Sequence, residues 1–259
     1  MAEEAPRIPI PWAWYGGGLL SLAVIFISSW HLQIRPQELL QGLPQMIRLF
    51  QEFLHPDVSY LKKVLPALLD TLRMAIGGTA MGAFFSFPLL FWAAKNTAPA
   101  PWVYHLSRFL LNFLRTLPEL LLAALFVAVV GLGMMSGLLA IAIFSLGIIG
   151  KLASEKVETI DPGPLEALQA VGAPLPVRIL WAAWPQMSPD WLSYTLYTLE
   201  INIRAATILG LVGAGGIGSL LTTAMKSLAY PKVAAILLAV FFMVLLVEGW
   251  SSFMRRRIL

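Results

Sequence analysis

The sequence predicts an all-α integral membrane protein. Hydrophobic residues make up 58% of its 259 positions and charged residues only 12%, about half the charged share of a soluble domain. The apolar residues gather into several runs that approach the roughly 20 needed for one helical crossing of a bilayer core. Too little polar sequence remains outside these runs for a sizeable soluble domain. The net charge of +4 sits in short clusters flanking apolar runs, notably Lys62-Lys63 and Arg255 to Arg257, a pattern of membrane topology rather than nucleic-acid binding.

Six spans are expected, at about 13–30, 66–92, 104–130, 134–152, 188–212 and 232–253. The first follows Met1 to Pro11, which includes Glu3 and Glu4. No Ala-x-Ala site follows Ile27, so it reads as a retained helix. With an outer amphipathic loop it forms an N-terminal segment, 1–60, ahead of a core at 61–259, and Arg35, Arg48, Lys62 and Lys63 fall between the first two spans. Gly77, Gly78, Gly82, Gly131, Gly133 and Gly147 stand where helix backbones must approach closely in lipid.

The third span opens with Arg108, Asn112, Arg115 and Glu119 at helical spacing, then turns purely apolar from Leu120 to Val130. Pro118 kinks or restarts the helix. Two readings stand for this stripe, an amphipathic segment resting on the inner surface or a wall of a pathway. Glu119 fits the first reading least.

A cytoplasmic loop at 154–186 follows the fourth span. Asp161 or Gly163 caps a helix opened by Pro162 or Pro164. Leu165, Leu168 and Val171 lie near one face of that helix, Glu166 in its first turn, and Gly172 stops it. A second short helix, about Val177 to Trp184, is expected to end before Pro185. This helix-turn-helix either passes force to a cytoplasmic partner or merely connects two spans.

The fifth span carries charge into the membrane. Ser193, Tyr197, Glu200, Arg204 and Thr207 recur at spacings of three and four, one polar stripe on a buried helix. Intramembrane charges mark pathways. Glu200 and Arg204 are expected to pair at i, i+4, either leaving a partly neutralised cation for an anionic cargo or fixing the packing of two copies. Gly213, Gly215, Gly216 and Gly218 close this segment as a gate or an ordinary turn. They formally satisfy a dinucleotide fingerprint, but it follows a membrane helix instead of a strand, and the next acid is Glu248.

The sixth span ends in Arg255, Arg256 and Arg257, which place the C-terminus in the cytoplasm, and six crossings bring the N-terminus to the same side. Lys151, Lys156 and Arg178 flank the loop on that side, while the basic residues of the first outer loop oppose the pattern without reversing it. Cysteine is absent, which excludes disulfides and thiolate chemistry. His31, His55 and His105 are scattered, so no metal site is expected. No Walker A sequence is present, so ATP-derived energy must come from another subunit.

Glu166-Ala167-Leu168, then Gly172, then Trp184-Pro185 resembles the EAA loop of ABC importer permeases. Glu200-x-Asn202-x-Arg204 and the Gly-Leu-Val-Gly-Ala-Gly-Gly-Ile-Gly run are similar to phosphonate permeases of that class, or to a phosphite-importing sibling. The similarity runs from about Thr71 to the C-terminus and is strongest between Asp161 and Gly218. Residues 1–60 match loosely. Leu168 replaces an alanine of the motif, Trp184 replaces a leucine, and Pro174 and Pro176 stiffen the turn, so the docking angle is open.

The resemblance implies a type I ABC importer transmembrane domain in the bacterial inner membrane, without enzymatic activity or a bound cofactor of its own. It implies two copies surrounded by lipid, a cytoplasmic ATPase dimer using ATP and Mg, an extracytoplasmic binding protein, and no nucleic acid. A pathway along Ser193, Tyr197, Glu200, Asn202, Arg204, Thr207 and Glu119 is expected, with a gate at Gly213, Gly215, Gly216 and Gly218. Glu166, Ala167, Leu168 and Gly172 are expected to couple to the ATPase. The cargo is a phosphonate or a related oxyanion such as phosphite, hypophosphite or phosphate. Alternatives are a permease for another small solute such as methionine, a polytopic enzyme using Glu119, Glu200 and arginines, and a carrier in which Glu200 binds protons.

Overall fold

The computed structural model describes residues 12–31 and 36–258, and every regular element among them is helical. Glu3, Glu4 and Arg35 lie outside the described residues. The chain divides after Gln51 into two units, nine residues before the boundary expected at 60. Residues 53–60 belong to the second unit because they pack on the last helix. Asp57 N–H donates to Pro231 O at 3.0 Å, Phe53 lies against Tyr230, and Lys232 sits over the Tyr60 ring.

The first unit holds α1 (Trp12–His31) and all but the last two residues of α2 (Pro36–Phe53). The apolar part of α1 is short, Tyr15–Ser28. Leu40, Leu43, Ile47 and Phe50 form one exposed stripe on α2, the pattern of a helix lying along an interface.

The second unit contains α3 (Leu61–Trp92), α4 (Pro101–Thr116), α5 (Glu119–Val130), α6 (Met134–Val157), α7 (Gly163–Ala170), α8 (Leu175–Arg178), α9 (Trp184–Leu209), α10 (Ile217–Lys226) and α11 (Tyr230–Ile258). By length and composition α3, α6 and α11 can each cross a membrane among the described residues. Two bent pairs supply two more crossings if each is one span.

The expected third span is broken, with α4 and α5 meeting at 91°. The residue before a proline is driven out of the helical region. Leu117 accordingly takes φ −79°, ψ 121°, and Pro118 follows it in extended conformation. The expected short helix at 177–184 does not end before Pro185 either. Leu175 to Leu209 runs without a break through a wide turn at Ile179–Ala183, where Trp184 N–H donates to Ile179 O. A π-type turn accommodates a proline in the following turn by spreading the carbonyls its ring would strike.

Helices α3 and α6 pack most intimately, through small residues. A Cβ on Gly78 would stand 2.6 Å from Ile141 Cγ2, and one on Gly82 would stand 2.4 Å from Ser145 Cβ. Gly147 plays the same part under α4, with Leu114 3.2 Å away. Gly131 and Gly133 serve otherwise, since they have φ of 100° and 136° and form the turn between α5 and α6. Three apolar clusters follow along the bundle. One joins α3, α10 and α11; a central one joins α3, α5, α6 and α9; and one gathers α7, the wide turn and the last turns of α3 and α6.

Candidate functional site

Helix α9 holds all the predicted pathway residues except Glu119 but sorts them into different environments. Asn202 is fully buried and lines no open surface. Its Nδ2 donates to Thr79 Oγ1 and Ser145 Oγ, both at 2.7 Å, so it ties α9 to α3 and α6. Among the described residues, its Oδ1 has no hydrogen-bond partner. Ser193 and Thr207 are half-buried, and the Thr207 hydroxyl donates to Arg204 O at 2.6 Å. Tyr197, Arg204, Ile208 and Leu211 form the exposed stripe.

The expected Glu200–Arg204 pair is not what forms. Glu200 Oε1 instead accepts from Arg255 Nη2 at 2.6 Å, with the two side chains 12% and 27% exposed. Packing of α11 against α9 brings the terminal arginine onto the carboxylate, and a better-shielded partner outcompetes an intrahelical pair worth only a few tenths of a kcal/mol. Arg204 has no ion-pair partner within 4.0 Å among the described residues. It shares a small crevice with Glu200, Ile203, Val244, Val247 and Glu248. Arg204 is thus an exposed cation in an apolar helix, not neutralised by its neighbour.

Past α9 the chain folds into a glycine-rich turn. Gly213, Gly215 and Gly216 have φ of 90°, 80° and 66°, conformations that side chains disfavour. Gly218 packs on the end of α9, where a Cβ would stand 2.4 Å from Thr207 O. Ile217 N–H donates to Thr71 Oγ1 at 2.8 Å, Ala214 N–H to Leu209 O, and Gly133 N–H to Gly213 O. These bonds and the buried Ala214 make the turn a wedge against α3 and the start of α6. Glu119 makes no ion pair among the described residues and is half-buried in the first turn of α5, where a helix N-terminus favours an acid.

The loop between α6 and α9 is built around α7. Asp161 Oδ1 accepts from Gly163 N–H at 3.0 Å, and Gln186 brackets Asp161 by bonding both its N–H and its C=O. At the other end Gly172 N–H donates to Gln169 O and Ala173 N–H to Leu168 O, the paired bonds of a helix closed by a left-handed glycine. Leu165 and Leu168 turn inward onto Leu90, Val157, Ile160 and Met187, while Glu166 and Ala167 stay exposed. One face therefore anchors the helix and the other is presented.

Sequence reasoning passed over several of these groups. Thr71 and Thr79 sit eight residues apart in an apolar span, a polar periodicity that is itself a signal. Arg255 was legible as a topological marker but not as a partner, and Glu248 was legible as an acid within the last span.

Residues 86–259 match the family described as Binding-protein-dependent transport system inner membrane component. The chain is 40% identical over 246 residues to the phosphite transport system permease protein PtxC of Stutzerimonas stutzeri, an alignment covering 95% of this chain and 90% of that protein. It is 35% identical over 233 residues to the phosphate-import permease protein PhnE of Mycolicibacterium smegmatis, covering 90% of this chain and 44% of that one. In structure it is similar to an inward-facing form of the MetNI methionine ABC transporter, with a TM-score of 0.69 and 18% identity, covering 78% of this chain and 99% of that one. That last likeness bears on the fold alone.

Proposed function

The chain belongs to the family of binding-protein-dependent transport system inner membrane components, and from that premise we propose that its cargo is a phosphorus oxyanion, with phosphite or a phosphonate first. It is a multi-pass permease subunit of an ABC importer, with an ATPase and a substrate-binding protein as the partners such a permease requires. The observation that carries the ligand class is Arg204, an exposed cation on a membrane-embedded helix with no ion-pair partner among the described residues. A pore for anions needs positive charge along its wall. The names of the relatives, phosphite and phosphate permeases, supply the phosphorus.

The finer assignments extend that reading. The pathway runs along the exposed stripe of α9, with Tyr197 and Arg204 as contacts and Ser193, Glu200 and Thr207 behind them. Glu119 borders it from α5. Asn202 is assigned to the core instead. Two copies of the chain face each other across this stripe. The turn holding Gly213, Gly215, Gly216 and Gly218 is the outer rim, bonded to the end of α9 through Ala214 N–H and to α3 and the start of α6 through Ile217 N–H and Gly213 O. Glu166 and Ala167 meet the ATPase, while Leu168 and Gly172 fix the shape of the docking helix. The ATPase uses ATP and Mg, and both termini lie on its side of the membrane.

Reconstitution with the partner ATPase and binding protein tests the reading, with phosphite, methylphosphonate, phosphate and methionine each supplied in turn. Hydrolysis is expected to rise with a phosphorus oxyanion and not with methionine, whereas stimulation by methionine alone would overturn the ligand class. Arg204→Ala is expected to abolish uptake in a complex that still assembles. Surviving uptake would remove Arg204 from the pathway.

A further inference from the structure

The charged groups around the end of α6 form a network that the pathway does not use. Arg108 of α4 reaches Glu158, which directly follows α6, with Nη1 2.7 Å from Oε1. The same carboxylate accepts from Lys95 N–H at 3.0 Å, in the turn after α3, and Asn96 Nδ2 donates to Val157 O at 2.6 Å. Arg108 also donates to Tyr104 OH and to Ala93 O, and Glu155 stands 3.9 Å from its Nη2. On the far side of the loop, Lys156 pairs with Asp190 of α9 at 3.2 Å.

We propose that the Arg108–Glu158 pair is the joint that carries movement of the docking helix α7 into the bent α4–α5 limb, making Arg108 a positioning residue for coupled transport. Glu158 lies five residues before α7 and shares the rigid end of α6. The apolar contacts of Leu165 and Leu168 hold α7 without directional preference, whereas a short charge-assisted hydrogen bond fixes direction. Helix α4 otherwise rests on α6 through apolar contacts, Leu111 against Gly150 and Leu114 against Gly147, which hold it close without fixing its direction. Beyond α4 the chain turns 91° at Leu117 and Pro118, and α5 then packs on α6 and reaches α9 and the turn at Gly210–Val212. A shift at Glu158 therefore has a path through Arg108 to the element beside the proposed pathway.

This inference rests on the importer reading, and the test separates the two. Wild-type complex in proteoliposomes is assayed for phosphite uptake and ATP hydrolysis together. If the wild type transports no oxyanion, the reading of the cargo fails before the joint is reached. If it transports, Arg108→Gln, Glu158→Gln, the double variant and Arg108→Lys are compared by the number of ions moved per ATP. Glu158→Gln keeps an acceptor for Lys95 N–H and removes only the charge.

Each neutral variant is expected to assemble, keep basal hydrolysis, and lose about tenfold in ions moved per ATP, within the usual range of coupling between linked sites. The double variant is expected to be no worse than either single, as for two members of one pair, and Arg108→Lys to recover most of the loss. An unchanged ratio, additive losses, or failure of both neutral variants to assemble on size exclusion would each overturn the joint, the last by making the pair a structural brace.

Discussion

Replacing Asn202 with valine distinguishes a clamp in the core from a wall of the pathway. Asparagine here makes two interhelical hydrogen bonds, to Thr79 and Ser145, at 2.7 Å each. Such bonds inside a bilayer average about 0.6 kcal/mol, so valine forfeits about 1.2 kcal/mol. Against that, Oδ1 is buried without a partner, and an orphaned amide oxygen costs about 1–3 kcal/mol. Thr79 keeps a partner for its own hydrogen, because its hydroxyl also donates to Ala75 O. Ser145 Oγ, fully buried, loses the one hydrogen bond it makes among the described residues, which offsets the relief of Oδ1, so Asn202→Val is expected to cost about 1 kcal/mol, or about 3 °C in melting temperature for a chain of this size. Asn202→Asp instead places a carboxylate where no cation reaches, a loss of several kcal/mol.

Thermal unfolding of the purified chain followed by tryptophan fluorescence reads this out, since the sequence has no cysteine for thiol dyes. Uptake in the reconstituted complex is the second axis. If the valine variant melts normally but no longer transports, Asn202 acts on the cargo and its assignment to the core is wrong. A drop beyond about 10 °C would refute the hydrogen-bond reckoning itself.

Three further outcomes follow from the geometry. Arg255→Gln leaves the Glu200 carboxylate without its partner, so it turns to Arg204 one helical turn away. The KM for the oxyanion is then expected to rise roughly tenfold, equivalent to about 1.4 kcal/mol, and adding Glu200→Gln should bring it back. Gly82→Ala puts a Cβ 2.4 Å from Ser145 Cβ and 2.6 Å from Ala142 O. Overpacking of that kind costs about 1–3 kcal/mol, and a melting temperature equal to wild type would contradict it. At Gly172 no atom lies within 4 Å of a new Cβ, yet φ is +76°. Alanine there is expected to weaken ATPase docking by about fivefold, for roughly 1 kcal/mol of left-handed strain, whereas asparagine is tolerated. Equal binding constants for the two variants would show that this turn does not shape the docking helix.

Where structure follows from neighbours along the chain, the sequence was a good guide. The turn from Asp161 to Gly163, the stop at Gly172 and the inward face of Leu165 and Leu168 are all set within one helical turn, although the N-cap itself is Pro162 and Val171, expected on that inward face, is exposed because the helix ends before it. The break at Pro118 was legible for the same reason, although its 91° angle was not, because the angle depends on how α4 and α5 each pack on α6. Pro185 misled because a proline's local penalty is relieved by a wide turn, which no local pattern announces. Gly131 and Gly133 misled in the opposite sense. Glycine serves close packing and positive φ alike, and only the fold separates Gly82 from Gly133.

The charges of α9 show the same division more sharply. A glutamate and an arginine at i, i+4 invite pairing, and nothing within α9 argues against it. What decides the matter is Arg255, 55 positions away, whose reach depends on the packing of α11 along α9. Glu200 is nearly enclosed by that packing, and a carboxylate in such a setting gains more from a shielded guanidinium than from one on the exposed stripe. Arg204 is left without an ion-pair partner among the described residues as a result. The cation proposed to meet the cargo is therefore maintained by the C-terminal helix rather than by its own, and any influence that draws Arg255 off Glu200 acts on the pathway without touching it.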